Sequence, residues 1–208
     1  MRTMHISPNH TEDDFTYPLT LENKIELFRD RVDGWQLGIA DQCINGGPVE
    51  EGRSTPLVKD SGFAVMHIVM SYFEMIAKYE HGCACEGASR QYFRYFRIGF
   101  TSVFDGLLSL GDTLVDQIVG VLYGHVRCGL YHHGITSPSI VLTGSTLEPI
   151  EVRQGKVNIN PHLMVPHLRR HLQCYVDRLL DPANKQLRAD FEKRWDWQHS
   201  QDVELIGG

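Results

Sequence analysis

The stretch that most limits the fold is residues 60–82, "DSGFAVMHIVMSYFEMIAKYEHG". Asp60 or Ser61 can cap a helix, a dense apolar run then continues to Tyr79, and Gly82 ends it. So rich an apolar run describes a central, largely buried helix that other elements must cover. The rest of the chain has to supply that cover.

Most of it is again helical in period. "TLENKIELFRDRVDGWQLGIADQCI" starts from Thr20 as N-cap and spaces Ile25, Phe28, Val32, Trp35 and Ile39 by three and four residues, which predicts one apolar face. "NGGPVEEGRSTP" then interrupts with Gly and Pro. "ASRQYFRYFRIGFTSVF" is a third helix with Tyr92, Phe93, Tyr95, Phe96 and Phe100, and a fourth runs through "SLGDTLVDQIVGVLYGHVRCGLYHHG". On that fourth helix Leu114, Val115, Ile118, Val119, Leu122, Val126 and Leu130 mark the buried side. Gly120 and Gly124 lie one turn apart and leave room for another backbone. Past Gly134 the texture changes. "SIVLTG", "PIEVR" and "KVNIN" are short, rich in Ile and Val and bounded by Gly or Pro; the last two flank "QG" and predict a hairpin. "PHLMVPHLRRHLQCYVDRLL" and "DPANKQLRADFEKRWDWQ" close the chain as helices. The expected organisation is an N-terminal arm (1–19), one mainly α, up-and-down helical bundle (20–198) with a β insertion at about 139–160, and a tail (199–208).

Bulk properties exclude several function classes. With 42% hydrophobic and 22% charged residues the chain is ordinary for a soluble globular domain, and no apolar stretch is long enough for a membrane span. The first residues lack the apolar core of a secretory signal, so the expected location is the cytoplasm. Five cysteines at irregular spacing read as reduced thiols. Cys83 and Cys85 beside His81 are too tightly spaced for a usual zinc knuckle, and no matching second pair exists, so neither metal nor cofactor is expected. P-loop, G-x-G-x-x-G, H-E-x-x-H and G-x-S-x-G patterns are absent. A net charge of −6 rules out a global basic field, so any nucleic-acid role needs a local patch.

Two candidates for such a patch exist. Arg90, Arg94 and Arg97 share one face of the third helix and interleave with aromatics, which suits either a solvated basic stripe or an RNA surface. The second is "GHVRCGLYHHG", which gathers His125, Arg127, Cys128, His132 and His133 at the end of a core helix. His125 and His132 are seven apart, within about 20° on a regular helix, whereas Arg127 and His132 are separated by about 140°. That pair converges only if the helix bends or frays, or faces a shared cleft. The alternative is plainer: Arg127 caps the helix C-terminus and the histidines are surface residues.

"VLYGHVRCGLYHHG" resembles the terminal helix of the HEPN superfamily, whose mark is an arginine followed four to six residues later by histidine, here Arg127 and His132. The order of long helices, and the segment "VNINPHLMVPHLRRHLQCYVDRLL", are similar to a bacterial branch of that superfamily. The resemblance implies a homodimeric, metal-independent RNA endonuclease, a toxin or defence component with a possible antitoxin partner. Its composite site would pair two Arg/His sets across a two-fold axis. Arg127 would bind the scissile phosphate and His132 would transfer the proton, supported by His125 or His133. Cys128 departs from the polar residue common at its position, a weak hydrogen-bond partner where a strong one is expected. It favours the alternative that the resemblance allows, a non-catalytic dimer that binds RNA, nucleotide or a partner protein.

Overall fold

The computed structural model describes residues 4–46, 49–50, 53–54, 58–84, 89–134 and 136–204. Its architecture is mainly α. Helix α1 (Leu21–Asp30), capped by Thr20 through its side chain to the Asn23 N–H, runs directly into a π-helical segment (Arg31–Gly38) and then α2 (Ile39–Asn45). The central helix α3 (Gly62–Glu80) is covered by α4 (Ser89–Val103), and α5 (Asp112–Val121) follows. A second π segment (Leu122–Arg127) links α5 to α6 (Cys128–His133). Helices α7 (Pro161–Leu180) and α8 (Lys185–Glu204) close the bundle, α8 extending past the expected boundary at 198.

The fully buried residues of α3 include Val65, Met66, Val69, Tyr72, Phe73 and Ile76, as the apolar run requires. Phe73 packs edge-on against Phe96 and Phe100 of α4, with ring centroids 5.3 and 5.4 Å apart. Gly99 makes this approach possible, because it lies against the Phe73 backbone carbonyl where no side chain fits. Gly120 and Gly124, expected to admit a close backbone, are exposed, and a Cβ at either would meet nothing within 4 Å among the described residues.

The first helix corrects the expected apolar face. Ile25, Phe28 and Val32 are buried, but the next buried residue is Leu37, five positions on, while Trp35 and Ile39 are 47% and 45% exposed. The π segment inserts one extra residue per turn and so moves the core-facing register.

The β region carries one strand more than the expected hairpin. β6 (Ile150–Arg153) and β7 (Lys156–Ile159) pair antiparallel about Gln154 and Gly155, both at positive φ. β5 (Ile140–Leu142) then adds parallel to β7, a non-local pairing that no turn signal announces. Within the arm, β1 (His5–Ser7) and β2 (His10–Thr11) form a short antiparallel pair. β3 (Val49–Glu50) and β4 (Arg53–Ser54) form another.

Asn160 ties the sheet to α7. Its Oδ1 accepts from the His162 N–H at 3.1 Å and its Nδ2 donates to the Thr146 carbonyl at 3.0 Å, while it is 3% exposed. Asn160→Ala should therefore lose a cap and a buried hydrogen bond together, about 2 kcal/mol. Asn160→Ser, which keeps a capping oxygen and loses only the amide donor, should lose less. Urea midpoints of the two variants check this; equal losses would contradict it.

A polar chain crosses the core between α3, α4 and α7. The Tyr72 hydroxyl lies 2.9 Å from His171 Nδ1, His171 Nε2 lies 3.2 Å from Ser102 Oγ, and Ser102 donates to Glu80 Oε1 at 3.1 Å. Burial holds His171 neutral, its pKa pushed down to about 4, and raises that of Glu80.

Candidate functional site

The two π segments and α3 enclose an open cavity of about 330 Å³. Trp35 and Gln36 come from the first π segment, Arg127 from the second, and Tyr131 from α6. His67, Ile68, Met70 and Ser71 come from α3. π segments occur often at functional sites, and here each supplies side chains that a regular helix would aim elsewhere.

Arg127 is the charged centre. Its Nε donates to Glu74 Oε1 at 2.9 Å, and Glu74 is buried. Burial works against the Arg127 charge, but the neighbouring carboxylate outweighs it and holds the guanidinium above its ordinary range. Its terminal nitrogens make no other ion pair or hydrogen bond among the described residues. The guanidinium carbon lies 5.8 Å from the Tyr123 ring centroid and 5.6 Å from that of Tyr131, within cation–π range of both.

Aromatic rings extend this centre both ways. Phe93 of α4 meets Tyr123 edge-on at 5.2 Å. Beyond Arg127, His67 stacks on Tyr131 at 5.9 Å with 12° between planes, and His132 meets Tyr131 edge-on at 5.0 Å. The result is a ladder: Phe93, Tyr123, Arg127, Tyr131, with two imidazoles at its far end. Tyr131 is 65% exposed, so the ladder reaches solvent.

The expected site residues separate accordingly. Arg127 and His132 do not converge directly; residues 128–133 are α-helical, and Tyr131 is the ring that contacts both. His125 is exposed on the second π segment, outside the cavity lining. Cys128 is a half-buried thiol near Tyr123, whose pKa is raised by burial first and by Cys128 and Glu74 next. The His133 side chain and that of Arg90 lie outside the described side chains. Arg94 is exposed beside Phe93, whereas Arg97 is engaged by Asp116 at 2.6 Å. Arg97 is therefore held away from forming one free stripe with Arg94.

Sequence reasoning missed Glu74, His67, Gln36 and Trp35. One signal was available: His67, Ser71, Glu74 and Lys78 recur at four, three and four residues along the most apolar helix, a polar line within its apolar run.

Among the described residues no group of three or more His, Cys, Asp or Glu side chains is placed to hold a metal; Cys83 is buried and Cys85 lies outside them. No described helix is long and apolar enough to cross a membrane. Comparison with family models, with curated proteins and with solved structures finds no match for this chain.

Proposed function

We propose that this chain binds single-stranded RNA along the ladder centred on Arg127. The observation that carries this reading is a guanidinium pinned at one nitrogen by a buried carboxylate and flanked by two tyrosine rings, one of them open to solvent. Guanidinium nitrogens suit phosphate oxygens, and aromatic faces stack on any base. Arg94, exposed and next to Phe93 in sequence, is a second cation on the helix that begins the ladder, and a local patch of this kind is what the unfavourable net charge requires. The HEPN resemblance agrees with an RNA ligand and adds the expectation of a homodimer.

The expected test is fluorescence anisotropy with a labelled oligoribonucleotide in EDTA. Tyr131→Ala should weaken binding roughly 5- to 150-fold, corresponding to about 1–3 kcal/mol of lost stacking. Arg127→Ala should weaken it at least about tenfold and flatten its salt dependence. Because that variant strands the Glu74 carboxylate, it is paired with Arg127→Ala/Glu74→Gln, which should bind equally poorly. Binding unchanged in all three variants would end this reading.

A second reading, metal-independent cleavage of the bound RNA, is favoured by one specific observation. The His67 and His132 rings both contact Tyr131, beside Arg127. One imidazole would remove the 2′-hydroxyl proton, the other would protonate the leaving 5′-oxygen, and Arg127 would bear on the phosphate charge. Cleavage in EDTA lost in both His67→Ala and His132→Ala is the expected result; equal cleavage by the wild type and both variants would assign it to contamination.

A further inference from the structure

Beside Arg127 the cavity offers a group that phosphate binding does not use. Ser71 Oγ donates its proton to the Ile68 carbonyl at 2.7 Å and so can only accept from Gln36 Nε2, 2.8 Å away. The same Gln36 Nε2 lies 3.2 Å from the Ile68 carbonyl, so its donor side faces both oxygens. The Ile68 carbonyl only accepts, so it requires the nitrogen at that position, which sets the amide orientation. Gln36 Oε1 is thereby left as an acceptor with no partner among the described residues. Trp35, 47% exposed, and Tyr131 supply flat walls, with buried Met70 among the lining side chains.

We infer that this cavity takes one unstacked nucleobase that carries an exocyclic amino group, with Gln36 Oε1 accepting from that group and Arg127 holding the attached phosphate. The inference rests on the RNA reading for its natural ligand, and it adds a selectivity that a stacking ladder alone lacks. Cytosine presents an N–H donor at its 4-position, whereas uracil presents a carbonyl there. A carbonyl facing Oε1 leaves two acceptors opposed, so uracil is disfavoured. Adenine carries the equivalent donor and is admitted by the same contact.

The experiment compares oligocytidylate and oligouridylate of equal length by anisotropy in EDTA, and CMP against UMP by calorimetry, using the whole chain. The wild type is expected to favour the cytosine ligands about fivefold, the scale of one net hydrogen bond. Gln36→Leu should erase that preference, weakening the cytosine ligands and relieving the opposed acceptors for the uracil ones. Equal affinity for both oligonucleotides in the wild type overturns the base pocket while the RNA reading stands. A CMP preference without any oligonucleotide binding keeps the pocket and ends the RNA reading. No binding of any of the four ligands ends both.

Discussion

Gly99→Ala is expected to lower the stability of this protein by about 3 kcal/mol or more, enough to prevent folding if the native margin is ordinary. A Cβ at residue 99 would fall inside the contact radius of the Phe73 carbonyl oxygen, and would lie 2.7 Å from its carbon and 3.0 Å from the Phe73 Cα. These are backbone atoms of the central helix, so no side-chain rotation relieves the clash. Helix α4 would have to retreat from α3 and open the packing of Phe73, Phe96 and Phe100. Gly120→Ala is the control. Among the described residues nothing lies within 4 Å of its added carbon, and the helical site should gain up to about 1 kcal/mol. Urea denaturation of both variants reads the contrast directly. A Gly99→Ala protein within about 1 kcal/mol of the wild type would contradict the packing described.

The second large effect is with pH. The folded protein keeps His171 neutral down to about pH 4, against an ordinary value of 6.5, because burial is the main cause of its shift, joined by the positive charges of His167 and Arg178. Between those two values the unfolded chain binds a proton that the folded chain refuses, so stability falls as the pH is lowered through this window. At about 1.36 kcal/mol per pH unit the loss would approach 3 kcal/mol for a wholly shielded ring; about 2 kcal/mol is expected for one partly reached by solvent. Glu80 acts in the opposite sense. Burial raises its pKa, so its contribution is complete below its ordinary 4.5 and is lost as the pH rises through its folded value. Unfolding midpoints measured from pH 7 to pH 4 should fall in the wild type, flatten in His171→Gln and steepen in Glu80→Gln. An unchanged slope in His171→Gln would remove His171 as the cause.

Much of the fold was legible in the residues. The apolar run of α3, the Thr20 cap and the "QG" turn at positive φ each state a local preference, and the structure follows them. What could not be read is non-local or arises from a break in period. β5 joins β7 across intervening chain, and nothing in "SIVLTG" names its partner. Trp35 and Ile39 keep the helical spacing of a core face yet stand outside it, because the register moves between Val32 and Leu37. The candidate site was half legible for the same reason. Arg127 drew attention through the company of histidines, but its closest polar partner is Glu74, from a helix 53 residues earlier in the chain. The cavity opposite His67 exists only because two distant helices both leave the α register there.

Each of those departures has a simple arithmetic consequence. Removing a single residue from either segment would return that helix to regular winding and improve its backbone bonding. In the first segment the deletion would bring Leu37 to four positions after Val32, the regular core spacing, and would remove the wide turn that carries Trp35 and Gln36 to the shared hollow. Backbone regularity and the hollow thus exclude one another in this chain, so a shortened sibling with unbroken winding would retain the bundle and lose the pocket.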